Sequence, residues 1–230
     1  MPKHSAREQA TRCRELFAQI AEEVIDFLES TLAAVAKGDT PESGKLVSRE
    51  HGIALSFLDL NLRCLNLLAM ADTGQSELQV AGSIMSAAME LEQINDLTRH
   101  IVERQSGIGG ELYQSFAFTS IGNLTALLVT RSVDAFLNRN QKAMEDVSII
   151  ESELDDMHRQ LHENTIALMQ AGIFPSEELL SSRSLSMHLE RIARHAAGIK
   201  HGSDAAFFPQ DAAQLPDLKV MMMNCVFSKN

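Results

Sequence analysis

Tryptophan is absent from the 230 residues, tyrosine occurs once (Tyr113), and aromatics make up only 5% of a chain that is 45% hydrophobic. A core so short of rings must be filled with Leu, Ile, Ala and Met, which suits helix packing better than a β-sandwich. Cysteines number three, Cys13, Cys64 and Cys225, far apart and odd in count. Neither a disulfide framework nor a CxxC zinc frame can be drawn from them, and a reducing cytosol is the expected setting. Long basic runs are missing too: 20 basic against 31 acidic side chains leave a net charge of -11. That balance weighs against a nucleic-acid partner. Such a surface most often serves solubility, and otherwise favours cations or basic protein patches. No segment offers about 18 consecutive apolar residues. The opening MPKHSAREQ has no apolar signal region. Neither membrane insertion nor export is therefore expected.

What the chain does have is a copy of part of itself. LEQINDLTRHI, Leu91 to Ile101, returns as LERIARHAAGI, Leu189 to Ile199. Similar sequence upstream of both copies indicates one helical module used twice, in two units of about 100 residues. Apolar residues recur three or four apart in six stretches, each marking one helix face. The stretches are Leu16 to Phe27, Ile53 to Leu67, Ile84 to Ile101, Ile121 to Ala135, Val147 to Leu168 and Leu185 to Ile199. Alternating threes and fours predict nearly aligned helices, hence an all-α fold of two tandem antiparallel three-helix bundles. The first bundle is expected over residues 1–108, the second over 109–202, and a tail over 203–230. Helix one should end near Lys37, followed by a Pro41 to Gly44 loop. Gly172 reads as the stop of helix five and Ser176 as the N-cap of helix six.

A doubled three-helix unit whose third helix reads LEQIND and then LERIAR resembles the PhoU family of bacterial phosphate-signalling regulators. The likeness spans about Cys13 to Gly202. It includes AVAKGD (Ala34 to Asp39) with its counterpart AFLNRN (Ala135 to Asn140), and NLLAM (Asn66 to Met70) with TIALM (Thr165 to Met169). The resemblance implies a cytoplasmic, non-enzymatic adaptor, peripheral to the inner membrane through its partners. Those partners would be a phosphate ABC-transporter ATPase and a sensor histidine kinase, with a homodimer also in view. It further implies metal clusters on an acidic E-x-x-x-D motif in the third helix of each half. The ion would be divalent or trivalent: Fe, Mn, Mg or Zn.

Glu92 and Asp96 fit that motif in the first half. Four residues apart, they are neighbours on one helix face, roughly opposite the stripe of Leu91, Ile94 and Ile101. Hard carboxylate oxygens with waters would suit Mg, Mn or Fe. Arg99 and His100, one turn further on, offer the alternative of pairing with Asp96 on an ordinary solvated face. In the second half Glu190 keeps its place, but Arg194 stands where the motif has Asp. A guanidinium there repels a cation and pairs with Glu190 at the favourable spacing. Acids on the second helix are thin as well, Glu50 being flanked by Arg49 and His51.

Other constellations read as structural. His158 and His162 are taken as a solvent-facing pair, and His188 and His195 as surface histidines, because two imidazoles do not close a zinc shell. A ferritin-like diiron site needs inward carboxylates with Glu-x-x-His pairs, and Asp155 with His158 is a single copy on the wrong side of its stripe. Cys13 and Cys64, on apolar stripes, are expected to be inert small hydrophobes. SGIGGE (Ser106 to Glu111) lacks the lysine of a phosphate loop and reads as an interbundle hinge. Met221 to Met223 in the tail read as an adaptable contact surface. Partner binding in phosphate homeostasis is thus the expected function. A metal-binding or redox helical protein unrelated to phosphate signalling is the alternative.

Overall fold

The computed structural model describes residues 5–37, 43–70, 73–104, 117–172 and 175–207, and among these there is no strand. Six helices follow one another: α1 (Ala6–Lys37), α2 (Ser43–Ala69), α3 (Gln75–Arg104), α4 (Phe118–Asn138), α5 (Gln141–Ala171) and α6 (Ser176–Phe207). The expected hinge at Ser106 to Glu111 and the methionine tail lie outside the described residues.

The helix ends follow local chemistry. Ser5 and Glu8 form a capping box: the Ser5 hydroxyl accepts from the Glu8 N–H at 3.3 Å, and the Glu8 carboxylate accepts from the Ser5 N–H at 3.2 Å. This cap starts α1 ahead of Cys13 and adds Ala6 and Ala10 to the buried stripe. Between α4 and α5, Arg139 adopts a left-handed φ of 52°. Asn140 then caps α5, accepting from the Ala143 N–H. The Asp134 carboxylate clamps this corner by accepting from the side-chain amides of Asn138 (2.7 Å) and Asn140 (2.9 Å). Gly172 ends α5 at φ 64°, its N–H donating to the carbonyls of Leu168 and Met169. Ser176 is the first residue of α6 and not its cap. The helix opens on the Pro175 carbonyl, which accepts from the Leu179 N–H at 3.2 Å. Proline costs little there, because the N–H it lacks would have no partner inside the helix. The last helix also continues past Gly202, where the sequence pattern stops.

Each triplet packs as a three-helix bundle, α1 with α2 and α3, and α4 with α5 and α6. The bundles are fused. Helix α3 lies against α6, and α1 against α4, so α1, α3, α6 and α4 form a central ring with α2 and α5 on its flanks. One hydrophobic cluster runs through all six helices. Across the junction, the Phe17 and Phe136 rings meet at 5.0 Å with planes tilted by 60°. The Arg14 guanidinium donates to the Leu137 carbonyl in the last turn of α4. By length and mean hydropathy (1.3 over Arg49–Ala69), α2 is apolar enough to cross a membrane. Its stripe of Ile53, Phe57, Leu60, Cys64 and Leu67 is packed into this core.

Helices α3 and α6 lie against each other along the junction, and Gly198 of α6 faces Glu90 of α3. A Cβ at Gly198 would stand 2.8 Å from the carboxyl carbon of Glu90, so that carboxylate would have to shift to make room for a methyl group. That carboxylate bonds His195 Nδ1 at 2.7 Å, tying the halves together. The internal repeat, Leu91 to Leu189, equates Glu90 with His188 and His100 with Gly198. The His100–His188 ring contact at 6.1 Å is therefore the same crossing seen from the other half.

Replacing Gly198 by Ala adds helix propensity worth about 1 kcal/mol but displaces Glu90 from His195. In a Glu90→Ala background only the gain should remain. Denaturant unfolding of the four proteins of this cycle should show Gly198→Ala more favourable by roughly 1 kcal/mol without Glu90. Equal effects in both backgrounds would show that the glycine is not kept for the carboxylate.

Candidate functional site

Glu92 and Asp96 lie on adjacent turns of α3, and both are half-buried. They do not stand clear of the protein because α3 has neighbours on several sides: α1, α2 and α6. Asn95, beside Asp96, turns inward and is 2% exposed, its oxygen lacking a partner among the described residues. Neither acid makes a hydrogen bond or ion pair among the described residues.

The cation expected beside Asp96 is there, but it is held by others. Arg99 donates to Glu103 at 2.7 Å and approaches Glu50 of α2 at 3.8 Å. His100 Nδ1 lies 3.3 Å from Glu103. The hydrogen bond from Arg99 draws the Glu103 carboxyl below its ordinary range, helped by His100. In return Glu103 holds the Arg99 guanidinium more firmly protonated, with the charges of Asp96 and Glu50 adding. Glu50, the one acid α2 offers to this face, is thus engaged by an arginine. Glu92 and Asp96 are left without a bonded cation among the described residues.

On α6, Arg194 Nη2 meets Glu190 at 3.0 Å, the four-residue pair its spacing predicts. Two carboxylates, Glu92 and Asp96, face one half, and an ion-paired Glu190 the other. No three His, Cys, Asp or Glu side chains converge as a metal-holding group among the described residues. The donor set present does not fit the metal cluster that the resemblance implies. Two carboxylates leave most of an octahedral shell to water, and Arg194 already takes the charge of the third candidate, Glu190.

Two readings of single side chains are corrected. His158 does not face solvent. It is 7% exposed, with Nδ1 3.2 Å from the Ser186 hydroxyl of α6. It falls on the stripe of Leu154, Leu161 and Thr165, so α6 covers it, whereas His162 is exposed. His188 and His195, read as surface histidines, are both half-buried at the α3–α6 junction. Cys13 and Cys64, distant in sequence, are buried core neighbours on α1 and α2. Their interaction lowers the Cys13 pKa, and with burial it holds Cys64 firmly protonated. Both thiols are fully shielded, at 0% exposure, so the inert role expected for them stands on their burial.

Burial pushes the His158 pKa below the ordinary 6.5, outweighing Glu190 and Asp155, which raise it, while Arg183 adds to the lowering. The native state therefore favours neutral imidazole. Above about pH 6.5 both states are neutral and nothing is lost; below it the unfolded chain takes up a proton that the fold resists. Stability should fall as pH drops through 6.5, and His158→Gln should flatten that part of the profile. A profile from urea unfolding at pH 5 to 8 that is unchanged by the substitution would contradict this.

Comparison with known proteins follows the same doubling. Residues 17–105 and 118–200 each match the PhoU domain. The chain is 25% identical over 191 residues to the phosphate-specific transport system accessory protein PhoU homolog of Streptococcus pneumoniae, covering 80% of this chain and 86% of that one. It is 22% identical over 142 residues to PhoU homolog 2 of Methanothermobacter thermautotrophicus, covering 62% and 64%. The crystal structure of PhoU from Pseudomonas aeruginosa aligns with TM-score 0.80 at 18% identity, over 87% of this chain and 97% of that one. The phosphate transport system regulatory protein PhoU from S. pneumoniae aligns with TM-score 0.79 at 19% identity, over 93% and 100%. At such identities the structural likeness speaks for the fold, while the domain matches cover both halves. With Arg194 where the second acidic motif would have its Asp, this chain belongs to the PhoU family as a divergent member.

Proposed function

We propose that the chain is an accessory regulator of phosphate uptake and phosphate-starvation signalling, acting in the cytoplasm by binding other proteins and not by catalysis. The observation that carries this reading is the PhoU domain matched in both halves, together with relatives named for phosphate-specific transport. The proposed partners are a phosphate-transporter ATPase and a sensor histidine kinase, which would bring the protein to the inner face of the membrane.

The physical basis is charge. With a net charge of -11, the chain attracts basic protein surfaces, and Glu92 and Asp96 are carboxylates on α3 with no cation bonded to them among the described residues. A basic loop of a partner can supply what Arg194 already supplies to Glu190. Metal takes at most a single-ion role on Glu92 and Asp96 in this reading, because Glu190 is engaged by Arg194.

Titration of the purified protein with such an ATPase and with the cytoplasmic part of such a kinase should reveal salt-sensitive binding to at least one. Asp96→Arg, which copies the second half's own substitution, should weaken it by about tenfold. Saturating mixtures without binding to either would defeat the reading. Elemental analysis should find less than one iron, manganese, magnesium or zinc per chain. Stoichiometric metal that Glu92→Ala and Asp96→Ala remove would favour the metalloprotein alternative.

A further inference from the structure

Helix α2 carries a second apolar stripe on its outer face. Leu55, Leu58, Leu62 and Leu65 are 56%, 56%, 51% and 39% exposed, while the inner stripe of the same helix is buried against α1 and α3. The matching positions of α5, on the opposite flank, hold the exposed polar side chains Ser152, Asp155, Arg159 and His162. The leucines therefore do not serve the repeated module. From His51 to Ala69 the Asp, Glu, Lys and Arg residues are Asp59 and Arg63 alone, ion-paired with each other at 2.9 Å. A face without unpaired charge suits an apolar occupant and gives little hold to a basic one.

The chain contains such an occupant beyond the module. The second PhoU match ends at residue 200, and after α6 the sequence runs on through 208–230, outside the described residues. From Leu218 to Phe227 eight of ten residues are apolar, Lys219 and Asn224 excepted. Leu218, Met222 and Cys225 stand four and three apart, the spacing of a helix face and of the leucines themselves. Methionines adapt their shape to whatever surface they meet. Topology brings this segment to the right end of the molecule. His195 and Gly198 lie at Glu90, and His188 lies at His100, so α6 runs antiparallel to α3 and its last residue, Phe207, comes level with the start of α3. The end of α2 is there as well, because the hydroxyl of Thr73, just ahead of α3, donates to the Leu67 carbonyl at 2.7 Å. Residues 208–217 can span about 33 Å, at 3.3 Å each. From α6 across α3 to α2 is two interhelix steps, about 20 Å. Entering at the Ala69 end, the segment would run antiparallel to α2, with Leu218 level with Leu65, Met222 with Leu62 and Cys225 with Leu58.

We propose that residues 218–227 fold back onto the outer face of α2 and cover Leu55, Leu58, Leu62 and Leu65 within the same chain. This contact does not depend on the phosphate reading. In full-length protein carrying Asn224→Cys and Cys225→Ser, a nitroxide at position 224 should broaden the amide resonances of residues 55–62 and leave those of 149–156 on α5 sharp. Cys13 and Cys64 are fully buried and do not take the label. Adding Leu58→Asp and Leu62→Asp should abolish the broadening, because the segment would then bury unpaired charge. Met222→Asp with Val226→Asp in the otherwise unaltered chain should uncover the leucines and raise the fluorescence of a hydrophobic dye several-fold, with the circular dichroism of the six helices retained. When isotope-labelled chains without nitroxide are mixed with nitroxide-bearing chains, the α2 resonances should stay sharp. Broadening in that mixture would put the segment on a second copy and overturn the proposal. So would α2 resonances untouched by the label, broadening indifferent to the aspartates on α2, or dye fluorescence unchanged by those in the tail.

Discussion

The contact between α3 and α6 holds the molecule together as one body. Each of these helices belongs to its own bundle, and each spends one face on that bundle and another on its opposite number. At the junction Gly198 leaves the room that the Glu90 carboxylate takes up beside His195. Because the crossing repeats under the internal symmetry, His100 and His188 occupy the equivalent place at the other end. A pair of separate bundles would have left these polar groups in water. Fusion makes them structural.

The same fusion explains what became of the acidic motif. In a helix with neighbours on several sides, positions opposite the main stripe are not simply exposed, and Glu92 and Asp96 are half-buried in consequence. Around them the chain supplies arginines: Arg99 takes Glu50 and Glu103, and Arg194 takes Glu190. A guanidinium is always charged and reaches two carboxylates at once, so it can balance an acidic cluster that metals would otherwise neutralise. The outward carboxylates that remain form a small electrostatic feature on a strongly acidic protein, suited to recognising a basic surface.

The two flanking helices show how duplicated modules diverge. The inner stripes of α2 and α5 must keep their apolar character because both face the common core. Their outer faces carry no such constraint: α2 exposes Leu55, Leu58, Leu62 and Leu65, whereas α5 exposes polar side chains together with Ile149, Ile166 and Met169. An apolar outer face has an exposure cost that a polar one lacks, and burial removes it.

Much of this was legible without coordinates. Spacing of three and four located all six helices, and nearly every stripe residue, from Ile20 in α1 to Ile199 in α6, is buried; Leu16, Leu124, Met157 and Leu168 sit only at the core's edge. Local chemistry marked Gly172 as a stop, and the Arg194–Glu190 pair followed from helix geometry alone. Position was a better guide than residue type at His158, which shares the stripe of Leu154 and Leu161 and is buried with them despite its polarity. Interactions within one helix repeat every turn and so leave a trace in sequence order. Those between helices do not. Which side of α3 meets α6, that Cys13 lies against Cys64, that Glu90 reaches His195 and that Arg99 bridges to Glu50 depend on how rods pack in space, and only the tertiary structure decided them.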